Sequence, residues 1–307
     1  MLKKQFAVLM STYNGELFIK EQIDSILAQK DVDITLYIRD DGSNDNTVKL
    51  IKEYIKKYDC IRFMNDNNNL RPGASFMKLL LSVLKKEKKY DFYAFADQDD
   101  IWLENKLSAA VEKIGDNDKP VLYCSNQYIY KNGKNEGIRF NEIPDLSIVG
   151  HITKNEIYGC TMVMNYALAK LITDKKMPAK NYLDLRCHDS WVLHVALIAG
   201  KVIFDKNAYI LYRIHENNTI GIVNRSLGER ISRFVHGVTK NNREQCAKML
   251  LANFPNTDFP DRKYLEEFAY YRKSINKRLG LIRDRNICKG KQENAFLFAV
   301  KAIFGYI

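Results

Sequence analysis

The first hundred residues alternate between short apolar runs and stretches whose apolar positions repeat with helical spacing. Phe6–Met10 is an unbroken apolar run, the pattern of a strand buried on both faces. From Glu16 to Gln29 the residues Ile19, Ile23, Ile26 and Leu27 fall at i, i+4, i+7 and i+8, one face of a helix. Ile34–Ile38 predicts a second strand, and Asp45 and Asn46 stand where they can cap a helix carrying Val48, Ile51 and Ile55. A third strand is expected at Ile61–Met64, a helix at Ser75–Leu84 and a fourth strand at Phe92–Ala96. Strands separated by helices of this length predict an α/β fold, a mostly parallel sheet flanked by helices on both faces. No internal repeat or low-complexity tract interrupts the pattern.

Polar clusters fall where those strands should end. Thr12-Tyr13-Asn14-Gly15-Glu16 follows the first strand, Asp40-Asp41-Gly42-Ser43 the second, and Asp97-Gln98-Asp99-Asp100 the fourth. Ligands of open α/β sheets bind outside the carboxyl ends of the strands, so the three clusters should converge on one crevice. Neither the GxGxxG dinucleotide fingerprint nor the GxxxxGK[ST] phosphate loop is present. Any phosphate held here therefore calls for another device, and carboxylates holding Mg²⁺ or Mn²⁺ supply one.

Composition narrows the class. With 307 residues, 46% of them hydrophobic and 28% charged, the chain is neither disordered nor collagen-like. Its six cysteines include no CxxC pair, which argues against both a zinc site and a disulfide framework and for a reduced, cytosolic protein. No apolar run reaches the roughly 18 residues of a membrane span, and Phe6–Met10 is too short for a signal-peptide core. The net charge of +11 is unevenly placed: residues 225–307 hold 17 Lys and Arg against 8 Asp and Glu. Such asymmetry predicts a basic helical region, 225–307, appended to a catalytic domain at 1–224, with a nucleotide half near 1–100 and an acceptor half near 101–224. Asn294–Ile307 adds an apolar stretch around a single Lys301, as fits a helix lying on an anionic membrane surface, one packed on the protein, or a homodimer contact. Nucleic acid is not expected, since no binding motif accompanies the charge.

Taken together, STYNGE, RDDGSNDNT, FADQDDIW, HDSW and YRIHENN, in that order, resemble the family 2 glycosyltransferases of GT-A fold, and most of all bacterial rhamnosyltransferase-type members. The likeness covers about the first 220 residues and leaves the C-terminal region unmatched. It implies an inverting, metal-dependent enzyme at the inner face of a bacterial cell membrane. A single sugar would pass from a dTDP- or UDP-sugar, with dTDP-L-rhamnose the leading expectation, to a saccharide or lipid-linked acceptor in cell-surface polysaccharide synthesis. The resemblance implies that Thr12, Tyr13, Asn14 and Glu16 line the nucleotide pocket, and that Asp41 accepts a hydrogen bond from the base. Asp97 and Gln98 would meet the rest of the nucleotide sugar, Asp99 the metal, and Asp189 would be the catalytic base. His215 resembles a downstream histidine that completes the metal shell, while His188 departs from the acidic residue usual before the base. The QxxRW element of processive synthases is missing.

Each of these residues also has a plainer explanation. Asp189 precedes Trp191, Val192, Val195 and Ala196, so on local sequence it is a helix N-cap. Asp40–Gly42 is ordinary turn chemistry. Arg71 suits a diphosphate contact or a solvated loop equally, and Trp102 and Trp191 suit the core at least as well as an acceptor sugar. Three carboxylates within Asp97–Asp100 are harder to explain without a cation, because like charges so close disfavour ionisation. Two other functions fit parts of the pattern. A DxD after a strand also opens haloacid-dehalogenase-type phosphoryl-transfer enzymes, but Asp100-Ile101-Trp102 lacks their small Gly-Thr step. A non-catalytic nucleotide-sugar-binding or membrane-scaffolding protein would have no need of both Asp99 and Asp189.

Overall fold

The structure, a computed structural model, describes residues 2–66, 68–86, 88–153, 155–216, 242–284 and 295–307. Its first strand, β1 (Lys4–Thr12), pairs in parallel with β2 (Val32–Asp40) on one side and β4 (Phe92–Ala96) on the other, and β3 (Ile61–Asn65) adds in parallel to β2. Side chains alternate across β1: Ala7 and Leu9 enter the core on one face of the sheet, Phe6, Val8 and Met10 the core on the other. That double burial is why the run reads as continuously apolar.

Helix α1 (Ile19–Leu27), α2 (Thr47–Ile55) and α4 (Lys106–Ile114) cover one face, and α3 (Arg71–Leu84) the other. Two helix starts differ from the sequence expectation. Helix α1 begins only at Ile19, and the preceding backbone N–H groups of Gly15 and Glu16 donate to Thr47 Oγ1 at 2.8 Å and Asp45 Oδ2 at 3.0 Å. Helix α3 starts earlier, with Pro72 in its first turn, where the missing N–H costs nothing.

Beyond β4 the sheet becomes mixed, in the order β3-β2-β1-β4-β8-β6-β9-β5 with β7 on β6. These strands are β5 (Ile101–Trp102), β6 (Val121–Lys131), β7 (Lys134–Ile138), β8 (Met162–Asn165) and β9 (Lys201–Arg213). Helices α5 (Ile148–Thr153), α6 (Tyr166–Asp174) and α7 (Lys180–Ala199) join the face of α3. So do α8 (Asn242–Asn253), α9 (Arg262–Tyr270), α10 (Ile275–Arg283) and α11 (Ala295–Phe304): Leu250, Phe254, Phe268, Leu281 and Phe298 share one core with Leu9, Phe95 and Trp191. The boundary expected at 224/225 lies outside the described residues. Among the described residues, no helix is long and apolar enough to cross a membrane.

The order of the first four strands places the site. The chain winds one way from β1 to β2 and β3, then crosses back to set β4 on the opposite side of β1. That reversal opens a crevice at the carboxyl ends of β1 and β4, where Thr12 ends the one and Asp97 follows the other.

Candidate active site

Two loops meet across this crevice. The Gln98 carboxamide pairs with the backbone of Tyr13, Oε1 accepting from the N–H and Nε2 donating to the carbonyl, each at 2.9 Å. The loop after β2 is tied in as well. Asn14 N–H donates to Ser43 Oγ at 2.9 Å, and Asn14 Oδ1 accepts from Asn44 N–H at 2.8 Å. Glu16 Oε2 accepts from Asn46 N–H and Nδ2, both at 2.8 Å. The Thr12 hydroxyl is buried and donates to Asp40 Oδ1 at 3.0 Å. Thr12, Asn14, Glu16 and Gln98 thus bind one another's loops, while the Tyr13 ring stands 47% exposed on the rim.

Asp41 sits on this frame with only 2% of its surface exposed. Its N–H donates to Thr12 O at 2.8 Å, and its Oδ1 accepts from Leu70 N–H at 2.8 Å and from Arg39. Arg39 is fully buried and also donates to Ser75 Oγ at 2.6 Å, Asp66 Oδ1 at 2.7 Å and Asn68 O at 2.8 Å. A buried guanidinium needs such partners, and it fixes the Asp41 carboxylate as an acceptor. Sequence reasoning passed over Arg39. The available signal was a lone basic residue two positions after buried Tyr37, on the same strand face and directly before two aspartates.

Gly15 is required by this frame. A Cβ built there would lie 2.2 Å from Gln98 Oε1, so any side chain displaces the carboxamide from Tyr13. Gly15→Ala and Gln98→Ala should each lower stability by about 1–2 kcal/mol, the worth of two hydrogen bonds. In a double-mutant cycle by denaturant unfolding, Gly15→Ala should cost almost nothing once Gln98 is already Ala. Full additivity would show that the two residues act independently.

The second half of the crevice is anionic. Asp99 Oδ2 and His215 Nε2, 116 positions apart in sequence, lie 2.9 Å from each other and are 17% and 19% exposed. Arg213, at the end of β9, staples the two segments together. Its N–H donates to Asp100 Oδ1 at 3.2 Å and its Nε to Asp99 O at 2.8 Å. Phe18 packs on His215 at 4.9 Å between ring centroids. Burial, with the charges of Asp99 and Asp189, pushes the Asp97 carboxyl up to about 7. Asp100, fully buried, is held well above the carboxylate range by burial and by Asp99 and Asp97.

Asp99 and His215 could hold a divalent cation through one carboxylate oxygen and one imidazole nitrogen. Two ligands at right angles, each about 2.1 Å from a metal, are about 3.0 Å apart, close to the Asp99–His215 separation. Asp97, Asp100 and Cys160 also bring their ligand atoms within 4.8 Å of one another. That group is the poorer candidate, because Asp100 and Cys160 are sealed from solvent and burial keeps the Cys160 thiol protonated. Oxygen ligands, not a thiol, match Mg²⁺. Nearby, Lys106 is fully buried with Nζ 4.0 Å over the Trp102 ring, and burial lowers its pKa to about 8.

Asp189 reaches the crevice through a break in α7. Cys187 adopts φ 62°, and the helix continues in a new segment with Asp189 in its first turn. Its Oδ1 accepts from the adjacent Ser190 N–H at 2.6 Å, one position on rather than the two or three of an N-cap bond. Burial nonetheless pushes its carboxyl up to about 7, and its charge acts on Asp97. His188 points the other way, stacked on Phe76 at 4.1 Å and edge-on to Phe95 at 4.6 Å. Burial drops its pKa to about 3, which leaves it a neutral core residue. Gly159 makes the room, since a Cβ there would lie 2.5 Å from His188 Nε2.

Arg71 is 67% exposed and paired with Asp184 of α7 at 3.5 Å. Trp102 and Trp191 are buried in the core, 2% and 0% exposed. The Asp100–Arg213 staple and the Cys187 break had no signal in local sequence, because each depends on segments that meet only in the fold.

Comparison with known proteins identifies the family and the fold. Residues 7–172 match the family described as Glycosyl transferase family 2. The dTDP-rhamnosyl transferase RfbG of Shigella flexneri is 32% identical over 219 residues, which are 69% of this chain and 73% of that protein. The solved structure of S. aureus TarS 1-349 with UDP-GlcNAc aligns at a TM-score of 0.60 and 17% identity, covering 97% of this chain and 81% of that one. The mannosyltransferase PcManGT from Pyrobaculum calidifontis, solved with GDP-Man and Mn2+, aligns at 0.54 and 13% identity, covering 99% and 81%. The chain belongs to glycosyl transferase family 2, and its sheet and helices form a GT-A fold.

Proposed function

We propose that this glycosyltransferase moves one sugar, with inversion at the anomeric carbon, from a nucleotide-diphosphate sugar to a saccharide or lipid-linked saccharide, and that it depends on Mg²⁺ or Mn²⁺. The observation that carries this reading is the convergence of Asp97, Asp99, His215 and Asp189 on one side of a crevice whose other side is the framed loop of Thr12–Glu16 and Asp41. L-Rhamnose is the favoured sugar, supported by the relative from Shigella flexneri named for dTDP-rhamnosyl transfer.

Each group has a task in this reaction. Asp41, fixed as an acceptor by Arg39, takes a base N–H, which uracil, thymine and guanine offer at their ring edge and cytosine lacks. The exposed Tyr13 ring offers a face for the base. Asp97 takes the ribose in this reading, and Gln98 keeps the two loops in register. Asp99 and His215 would hold the cation, which when bound offsets the charge of the departing diphosphate. Asp189 accepts the proton of the acceptor hydroxyl as its oxygen bonds the anomeric carbon and the carbon–phosphate-oxygen bond breaks.

Thermal unfolding with nucleotide diphosphates and their sugars, each with Mn²⁺ or with chelator, tests this reading. A ligand at 100 times its Kd stabilises the native state by about 2.7 kcal/mol. We expect such a shift with dTDP or UDP and its sugars, and its loss on chelation. No shift with any nucleotide would overturn the donor assignment, and a shift indifferent to chelator would overturn the metal's part in it.

A further inference from the structure

We propose that the face formed by α10, α11 and the turn before α10 is a docking surface for an anionic lipid bilayer. The observation is independent of the active site. Helix α11 is apolar on two opposite sides, with Lys301 its only charged residue. Phe298 and Ala302, four positions apart, are 3% and 0% exposed and pack into the core. Phe296, Ile303 and Phe304, spaced seven and eight positions apart, share the other side and are 78%, 42% and 66% exposed. The helix is firmly seated: Arg278 donates to Ile303 O, and Ile307 N–H donates to the Tyr271 hydroxyl at 2.9 Å.

The end of α9 and the start of α10 add further exposed apolar side chains with lysines beside them. Ile275 and Tyr270 are 57% and 39% exposed, and Lys273 and Lys277 lie 4.3 and 6.0 Å from the centre of the Tyr270 ring. Over residues 271–284 and 295–307 there are six basic side chains (Arg272, Lys273, Lys277, Arg278, Arg283, Lys301) and one acidic, Asp284. Large apolar side chains rimmed by lysine and arginine are the composition of a bilayer-surface contact. Charge also decides between occupants. A second copy seated face to face would set Lys273 and Lys277 against their own copies, whereas anionic headgroups complement them.

Sedimentation with vesicles tests this. Full-length protein is mixed at low salt with vesicles of equimolar phosphatidylcholine and phosphatidylglycerol, and with phosphatidylcholine alone. We expect pelleting with the anionic vesicles only, weakened by salt. The double variant Phe296→Gln/Phe304→Gln should bind at least about tenfold more weakly. Lys273→Glu/Lys277→Glu should lose more than the roughly fivefold per lysine that neutralisation alone costs. Circular dichroism and donor-sugar hydrolysis in solution should match the parent protein in both variants. Failure to pellet, or binding unmoved by both variants, overturns the proposal. So does a dimer in sedimentation velocity that the phenylalanine variant dissolves, which would make a second copy the occupant. Because hydrolysis is read separately, loss of vesicle binding with hydrolysis intact leaves the proposed function standing.

Discussion

Asp189→Asn is expected to lower turnover by about 10²–10⁴-fold, the contribution of a positioned general base, and to leave nucleotide-sugar binding in place. The amide keeps an oxygen that accepts from Ser190 N–H, so the start of the second segment of α7 is preserved and the loss falls on proton transfer. The pH dependence has a defined sign. Burial disfavours the charged carboxylate and raises the Asp189 pKa to about 7, so the residue is a base only above that value. We expect kcat/KM to climb about tenfold per pH unit on the acid side and to level off as pH passes about 7. Single-turnover transfer over pH, with donor affinity measured separately, checks both points. A variant that binds the donor and transfers at the parent rate, or a profile flat through neutral pH, removes Asp189 from the role.

The second large effect concerns Asp99. Asp99→Ala should weaken Mn²⁺-dependent nucleotide binding by at least the roughly 10–100-fold that loss of even an outer-shell metal partner costs. At a donor concentration of 100 Kd for the parent, a hundredfold loss cuts the stabilisation from about 2.7 to about 0.4 kcal/mol. Asp99→Asn separates the metal role from a structural one. It retains an oxygen for His215 Nε2 but not the negative charge, so it should fail in Mn²⁺ binding much as Ala does. Electron paramagnetic resonance of Mn²⁺ titrated with protein and nucleotide diphosphate reads the ion directly. Parent-like Mn²⁺ affinity in the Asn variant would reduce the Asp99–His215 pair to a structural hydrogen bond.

Much of the frame was legible because it is local. The apolar run Phe6–Met10, the helical period of Ile19, Ile23 and Ile26, and the run Phe92–Ala96 each report burial through a period of about 2 or 3.6 residues. The loops following β1, β2 and β4 were found for the same reason, since a strand end followed by polar residues is a short-range signal. Gln98 shows the limit of this. Its place in the polar cluster after the fourth strand was evident, but its bonding to the Tyr13 backbone needs the topological switch that sets β4 beside β1.

The sequence by itself determined the α/β class, the order of the first four strands along the chain, the carboxylates at their ends and the basic character of residues 225–307. These follow from residue type and spacing within a dozen positions or so. Only the tertiary structure decided that Asp99 meets His215 across 116 positions, that Arg39 is sealed beneath Asp41, that Cys187 breaks α7 to present Asp189, and which side of α11 is left outside the core. Those outcomes depend on which surfaces come into contact. Burial and long-range electrostatics set them, and a linear pattern carries no term for either.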